Sequence, residues 1–317
     1  MPSKRRRGRR GRRRASPARA LLLAALAVAL MVGAFLGLHR YEQSRYHENR
    51  GETSENFYAG TKIEVDGVEY KTRYELTPIL LEGVSGSQQK VEMLALFLLD
   101  HERQAVRWLQ LDPDTALPSG GVLRDALPSE GDEKARANAV METVSDLLGV
   151  PIELYVSLDL EQIGALNRTL GGISMTLSGD YSAYDPAMTA GTTLTLSDAQ
   201  AELYMNPAIV LSGDDCPARM QRQWEFMLAA LEALKRETKE DTEILNRIYE
   251  ELDGVMVTNV RPARMLNEAA KAHGYAIELP ELLPGTESVS ENGEKRFEPD
   301  AAQIQSWVLE AFYRQKQ

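Results

Sequence analysis

Thirteen residues, DDCPARMQRQWEF at 214–226, gather two aspartates, the chain's only cysteine, a proline, two arginines and two glutamines. Pro217 suits the first turn of a helix, and Asp215 suits its cap. At about 100° per residue, Gln223 follows Arg219 by one turn and only about 40° around the axis. The two therefore stack at the edge of an apolar face made by Met220, Trp224, Met227, Leu228, Leu231 and Leu234. Arg222 points nearly the opposite way, toward Glu225 or solvent. A guanidinium and a carboxamide stacked near a helix start suit an anion, because arginine forks match phosphate oxygens. Free N–H groups at the helix start would add to this, but Asp214 and Asp215 oppose a phosphate there unless magnesium lies between. The plainer alternative is a capped amphipathic helix with solvated arginines. Cys216 has no second cysteine and no adjacent basic residue to activate it, so it reads as a loop thiol. Glu92 and Asp114 end predicted strands, and each alone reads as a turn residue. The four histidines are scattered, which suggests neither a metal cluster nor a triad.

The elements that must position these groups alternate between strand and helix. KIEVDGVEYKTR is a hairpin around Asp66-Gly67. TPILLEGVSG, VEMLALFLLD and AVRWLQLD read as buried strands of a sheet covered on both faces. Helical spacing predicts a helix over 133–148, stopped by Gly149 and followed by Pro151. Then come a strand in IELYVSLDL, a helix in LEQIGALNRTL, a strand in ISMTLS, and helices over 197–205 and from 217 to about 235. A helix over 241–252 precedes the strand GVMVTNV. Helices near 264–273 and over 301–314 flank a loop or hairpin. This alternation predicts an α/β sheet covered by helices.

Charge divides the chain. Residues 1–19 hold ten of its 36 basic residues and no acid, so the remainder sets 26 basic against 47 acidic residues. So acidic a body excludes nucleic acid as its partner. Ala20–Leu38 is uncharged for nineteen residues, long enough at about 1.5 Å per residue to span a bilayer. The basic flank then predicts a cytoplasmic N-terminus, a single transmembrane helix at 20–38, a polar stalk at 39–60 and an extracytoplasmic domain at 61–317. A cleaved signal peptide, with Val32–Ala34 as its cleavage site, is the competing reading. One cysteine excludes an internal disulfide framework, so the domain depends on its own core.

The run Val144–Met205, with LLGVPIELYV, then LGG before a strand, then a TLSDAQAELYM helix, resembles the middle of the LytR-CpsA-Psr family in order and spacing. The resemblance extends from about Lys62 to the C-terminus and includes the layout of basic tail, anchor and outer domain. It implies a mixed central sheet with helices on both faces. It also implies an extracytoplasmic, magnesium-dependent phosphotransferase that moves a glycopolymer from a polyprenyl-pyrophosphate carrier to peptidoglycan. An apolar cavity would hold the lipid, arginines at its mouth the pyrophosphate. Such chemistry requires aligned oxygens and neutralised charge.

Carried over residue by residue, the family's motifs are incomplete here. Ser85 stands where an aspartate is expected, Pro113 where an arginine precedes Asp114 and Thr115, and Asn206 and Ala208 where two arginines are expected. Glu92 keeps a carboxylate, and Arg219 with Gln223 keeps the last motif. The resemblance thus assigns Arg219, Gln223 and Asp114 to the reacting site and Asp114 with Glu92 to magnesium. Because several of the family's charged groups are missing, the expected function is binding of a polyprenyl-pyrophosphate-linked glycopolymer at the membrane, with weak or absent transfer to peptidoglycan. The alternatives are an active magnesium-dependent phosphotransferase and a non-catalytic structural or partner-binding ectodomain.

Overall fold

Nearly every residue of Leu76–Ser85 and Lys90–Asp100 is apolar or buried, and in the computed structural model these become the central strands β3 and β4. The structure describes residues 62–209, 216–240, 244–252, 254–289, 293 and 295–316. The basic tail, the apolar segment 20–38 and the stalk lie outside these, as do Asp214 and Asp215. Among the described residues no helix is long and apolar enough to cross a membrane.

In chain order, β1 (Lys62–Val65) and β2 (Val68–Thr72) precede β3 and β4, and β5 (Ala105–Leu111) follows. Helix α1 (Glu133–Leu148), β6 (Tyr155–Asp159), a 3-10 turn (Leu160–Gln162) and α2 (Gly164–Thr169) come next. The hairpin β7 (Ser174–Thr176) and β8 (Thr193–Thr195) leads to α3 (Asp198–Met205), α4 (Cys216–Glu240), α5 (Ile244–Glu251) and β9 (Met256–Thr258). The chain closes with α6 (Pro262–Ala272), β10 (Ala276–Ile277), β11 (Glu281–Leu282), β12 (Gly285–Val289), β13 (Lys295–Pro299), α7 (Ala301–Phe312) and β14 (Tyr313–Gln315).

The main sheet runs β10-β5-β4-β3-β6-β9, with β11 also on β5. It is mixed: β4 is antiparallel to β3 and β5, β6 is parallel to β3, and β9 is antiparallel to β6. Along β4, Leu94, Leu96 and Leu98 face a core built with α1 and α7, while Met93 and Ala95 face a second core built with α2 to α5. Both faces are therefore covered, as the apolar runs predict. Each fully buried leucine contributes about 2 kcal/mol.

Local signals set the boundaries. Asp132 caps α1 by accepting from Ala135 N, and Gly149 closes it in the left-handed region at φ 66°. Asp66 and Gly67, at φ 51° and 76°, make the predicted two-residue turn. Two expectations need correction. LEQIGALNRTL divides into the 3-10 turn and the short α2. The last helix ends at Phe312, because Tyr313–Gln315 pairs with β2 instead of continuing to Arg314.

Candidate functional site

Because β4 opposes its neighbours, the C-terminal ends of β3, β5 and β6 share one edge of the sheet with the start of β4. Neighbouring strands lie about 4.8 Å apart, so side chains from these ends meet. The register of β3 against β4 slips here: Gly83 pairs with Met93 but Val84 with Val91, which leaves Glu92 as the extra residue of a bulge. A bulge re-aims the side chain it carries. Gly83 is required at this point, since a Cβ would lie 2.8 Å from both Leu160 and Met93. Glu92 is 2% exposed, and Arg219 of α4 places Nη1 3.4 Å from its Oε2. Gln223, fully buried, donates from Nε2 to the Glu92 carbonyl at 3.3 Å. The two α4 residues singled out by helical spacing thus converge on Glu92, Arg219 at its carboxylate and Gln223 at its backbone carbonyl. Gln110 of β5 fixes the helix by donating to the Met220 carbonyl at 2.9 Å.

Beyond β5 the segment Asp112–Thr115 folds into a turn in which Asp112 Oδ1 accepts from Asp114 N at 2.7 Å. Asp114 points at Arg124, whose Nη2 lies 2.9 Å from Asp114 Oδ1 and 4.0 Å from Glu92 Oε2. Burial raises the Asp114 pKa, Arg124 opposes this and Asp112 adds to it. Cys216 donates to Asp112 Oδ1 at 3.1 Å, and Arg219 Nη2 reaches its sulfur at 3.4 Å. It is therefore a member of this cluster and not an isolated loop thiol. Burial and the neighbouring Asp112 push its pKa up, so it stays a protonated, poor nucleophile.

Ser85, fully buried at the end of β3, donates to Glu161 Oε1 at 2.8 Å; Ser87 also donates to that oxygen. These hydroxyls hold the Glu161 carboxyl below its ordinary pKa. A carboxylate from the turn after β6 thus stands beside the serine that occupies the aspartate position. Asn206 ends α3, and its side chain accepts from Ala208 N at 2.8 Å.

Arg222 is not solvated, contrary to the sequence expectation. It is 2% exposed and donates to the carbonyls of Ile209 and Asn206 at 3.1 and 3.2 Å, with its guanidinium 5.8 Å from the centre of the Tyr181 ring. The most buried face of α4 runs through Arg222, Phe226, Ala230 and Ala233. It is turned away from the leucine stripe because Leu231 and Leu234 line a cavity instead of a filled core.

That cavity, of about 310 Å³, lies between the second face of the sheet and helices α4 to α6. Its walls are almost wholly apolar, with Phe97, Met227, Leu231 and Met256 among them, and Lys235, Glu268 and His273 are its charged or titratable lining. Along α4 the lining starts at Met227, eight residues after Arg219, a rise of about 12 Å. Trp224 and Trp108, edge to face with centroids 6.1 Å apart, stand in that interval.

The ligand atoms of Asp112, Asp114 and Cys216 lie within 4.8 Å of one another and form a group that fits a metal ion. A hard cation takes oxygen donors, commonly one or two carboxylates with water and phosphate oxygens completing the shell. Asp112 and Asp114 offer such oxygen donors, Asp114 being paired with Arg124, whereas the thiol does not suit a hard cation. Glu92, expected as a second ligand, is held by Arg219. Sequence reasoning missed Asp112, Arg124 and Glu161. Asp112 was visible two residues before Asp114, but the other two enter only through long-range contacts.

The family model LytR_cpsA_psr matches residues 130–311. No curated protein matches the chain by sequence. Among solved structures, TagV of B. subtilis is similar with a TM-score of 0.61 at 19% identity over 75% of this chain and 98% of that one. Lin1025 from Listeria innocua is similar with a TM-score of 0.56 at 18% identity, over 74% and 96%. A structure described as "TagT bound to LI-WTA" is similar with a TM-score of 0.61 at 15% identity, over 75% and 89%. These likenesses concern the fold, and the matched segment runs from just before α1 into α7. It thus takes in the helices that cover both faces of the sheet and all of α4, and on that match the chain belongs to the LytR_cpsA_psr family.

Proposed function

We propose that this protein works in cell-envelope assembly, anchored in the membrane by residues 20–38, and binds a polyprenyl-pyrophosphate-linked glycopolymer in its outer domain. The observation that carries this reading is the placing of two unlike surfaces on one helix. The second half of α4 lines an apolar cavity, and its first turns carry Arg219 and Gln223 beside buried carboxylates. An apolar chain with an anionic head requires this combination. Family membership and the neighbour described as "TagT bound to LI-WTA" support a glycopolymer as the occupant.

Turnover is the weaker part of this function. The positions of Ser85, Pro113, Asn206 and Ala208 carry none of the charged groups that the family resemblance calls for. Each missing charge-assisted hydrogen bond is worth about 1.5–3 kcal/mol, and each 1.4 kcal/mol is about a factor of ten in rate. Bound magnesium would neutralise phosphate charge from Asp112 and Asp114. The chain's own residues orient the anion through Arg219 and keep the Cys216 thiol protonated. The alternative of an active transferase is favoured by the replacement carboxylate Glu161 beside Ser85.

The test is a transfer assay with the full chain in detergent, magnesium, a polyprenyl-pyrophosphoryl glycan and peptidoglycan. The binding function predicts little or no product. Turnover at rates common for enzymes, about 1 per second or faster, establishes the transferase instead.

A further inference from the structure

We propose that a second cavity, on the other face of the main sheet from the apolar one, is a carbohydrate subsite that holds one pyranose ring. Its place follows from strand register. Leu80 and Tyr155 face the core built with α1, whereas Leu81 and Leu158 face the core beside the apolar cavity. Side chains alternate along a strand, so Glu82 and Val84 of β3 and Ser157 of β6 lie on the α1 side. There Val84, Ser157 and Val257 of β9 line a cavity of about 140 Å³, with Glu133, Arg136 and Ala137 of α1 as another wall. Gln89, Asp159 and Gln162 complete its polar lining. None of Glu92, Asp112, Asp114 and Arg219 belongs to it.

The lining carries both signs of charge. Glu133 and Asp159 oppose an anion and Arg136 opposes a cation, whereas a neutral ligand that both donates and accepts hydrogen bonds finds partners on each. Val84, Leu127 and Val257 offer apolar surface to the C–H groups of a ring. At about 30 Å³ per water the space equals roughly five waters, enough for one sugar ring and too little for a chain of them. Bonding capacity is left over on the walls. Asp159 accepts from Glu161 N at 2.9 Å and from Gln162 Nε2 at 2.7 Å, and a carboxylate has about four acceptor sites. A Cβ at Gly86 would lie 3.1 Å from Asp159 Oδ2, so glycine leaves that oxygen open. Arg136 donates from Nε to Pro128 O at 2.8 Å and from Nη2 to Gln89 Oε1, which leaves Nη1 without a partner among the described residues. Glu82, in register with Ser157, is fully buried behind this wall, and neither of its carboxyl oxygens has a hydrogen-bond partner among the described residues. Buried polar groups are normally paired. The Ser157 hydroxyl is able to donate to Glu82 and accept from a sugar hydroxyl at once.

The sugar has two possible sources, a free glycan and the sugar on a lipid carrier, and calorimetry of the full chain in detergent tests both. The free probe is diacetylchitobiose, a neutral disaccharide. The carried probe is polyprenyl-pyrophosphoryl N-acetylglucosamine, read against sugar-free polyprenyl pyrophosphate. The subsite predicts that the parent binds diacetylchitobiose, or binds the sugar-bearing lipid about fivefold or more tightly than the sugar-free one. Ser157→Val, at the cavity floor, and Glu133→Ala, at its exposed rim, are each expected to remove about fivefold or more of that sugar-dependent binding. Neither is expected to change polyprenyl pyrophosphate binding by more than about twofold, and Arg168→Gln, on an arginine 68% exposed and paired with Asp198, leaves all binding unchanged. Thermal unfolding checks each variant, and should Ser157→Val fail to fold, Glu133→Ala decides alone. A loss confined to diacetylchitobiose assigns the site to a free glycan, and one confined to the sugar-bearing lipid assigns it to the carried sugar. No sugar-dependent binding by the parent, or full sugar-dependent binding by the folded variants, overturns the subsite. A parent that binds diacetylchitobiose but no polyprenyl pyrophosphate counts against the lipid function and leaves the subsite standing.

Discussion

Arg219 Nη1 lies 3.4 Å from Glu92 Oε2, joining the first turn of α4 to the bulge of β4 across 127 positions of sequence. The carboxylate is 3% exposed and the guanidinium side 13%, so little water shields either charge. Removing the arginine leaves a buried acid with only the more distant Arg124. Arg219→Ala is expected to destabilise the domain by about 2–3 kcal/mol in urea unfolding, and Arg219→Ala with Glu92→Gln by less. A loss in the double variant equal to the sum of the losses in Arg219→Ala and Glu92→Gln alone would show that the two residues do not interact.

Arg222 anchors structure and not ligand. Its bonds to the Ile209 and Asn206 carbonyls and its place over Tyr181 make Arg222→Ala a folding lesion of about 1–3 kcal/mol. Polyprenyl phosphate binding by the folded fraction is expected to stay within about twofold of wild type. A stable variant that no longer binds reverses this assignment.

The contrast between these arginines shows what the sequence makes legible. Helical spacing placed Arg219 and Gln223 together, and the apolar runs placed β3, β4 and β5 inside a covered sheet. The same wheel sent Arg222 to solvent because it took the leucine stripe as the buried face. Leu231 and Leu234 instead line a cavity, and a cavity shifts the buried face without altering periodicity. Arg124 and Glu161 were hidden for another reason: their partners lie 10 and 76 residues away and are set by turns. No local pattern encodes such contacts.

Two buried acids give opposite pH responses. Burial pushes the Glu82 carboxyl up to about 8, with Ser157 offsetting only part of this. Between its ordinary value of 4.5 and 8 the folded chain holds a proton that the unfolded chain has lost, so stability falls as pH rises through that window. Asp100 is also pushed up by burial, but the Arg103 N–H and the Arg73 guanidinium outweigh this and hold it below 3.8. Its contribution is full above 3.8 and is lost as pH falls through the lowered native value. In urea unfolding at pH 5 and about pH 8.5, wild type is expected to lose stability with rising pH and Glu82→Gln to lose markedly less. Identical pH slopes for the two proteins contradict the assignment.

The proposed topology rests on the basic residues at 1–19 beside the uncharged segment 20–38. In intact protoplasts, added protease is expected to remove a tag placed after Gln317 and to spare one placed before Met1. The reverse pattern, or release of the body into the medium, contradicts a retained anchor.

The central claim is that the apolar cavity and the Arg219 end of α4 serve one lipid-linked anion, and polyprenyl phosphate binding to the full chain in detergent tests it most directly. Leu231→Trp fills the cavity from α4 without touching the charged cluster, and Arg219→Ala removes charge without touching the cavity. The function proposed predicts that each variant, folded by circular dichroism, binds at least about tenfold more weakly than wild type at equal salt. Full-strength binding by folded Leu231→Trp, or no binding by the parent chain, contradicts it.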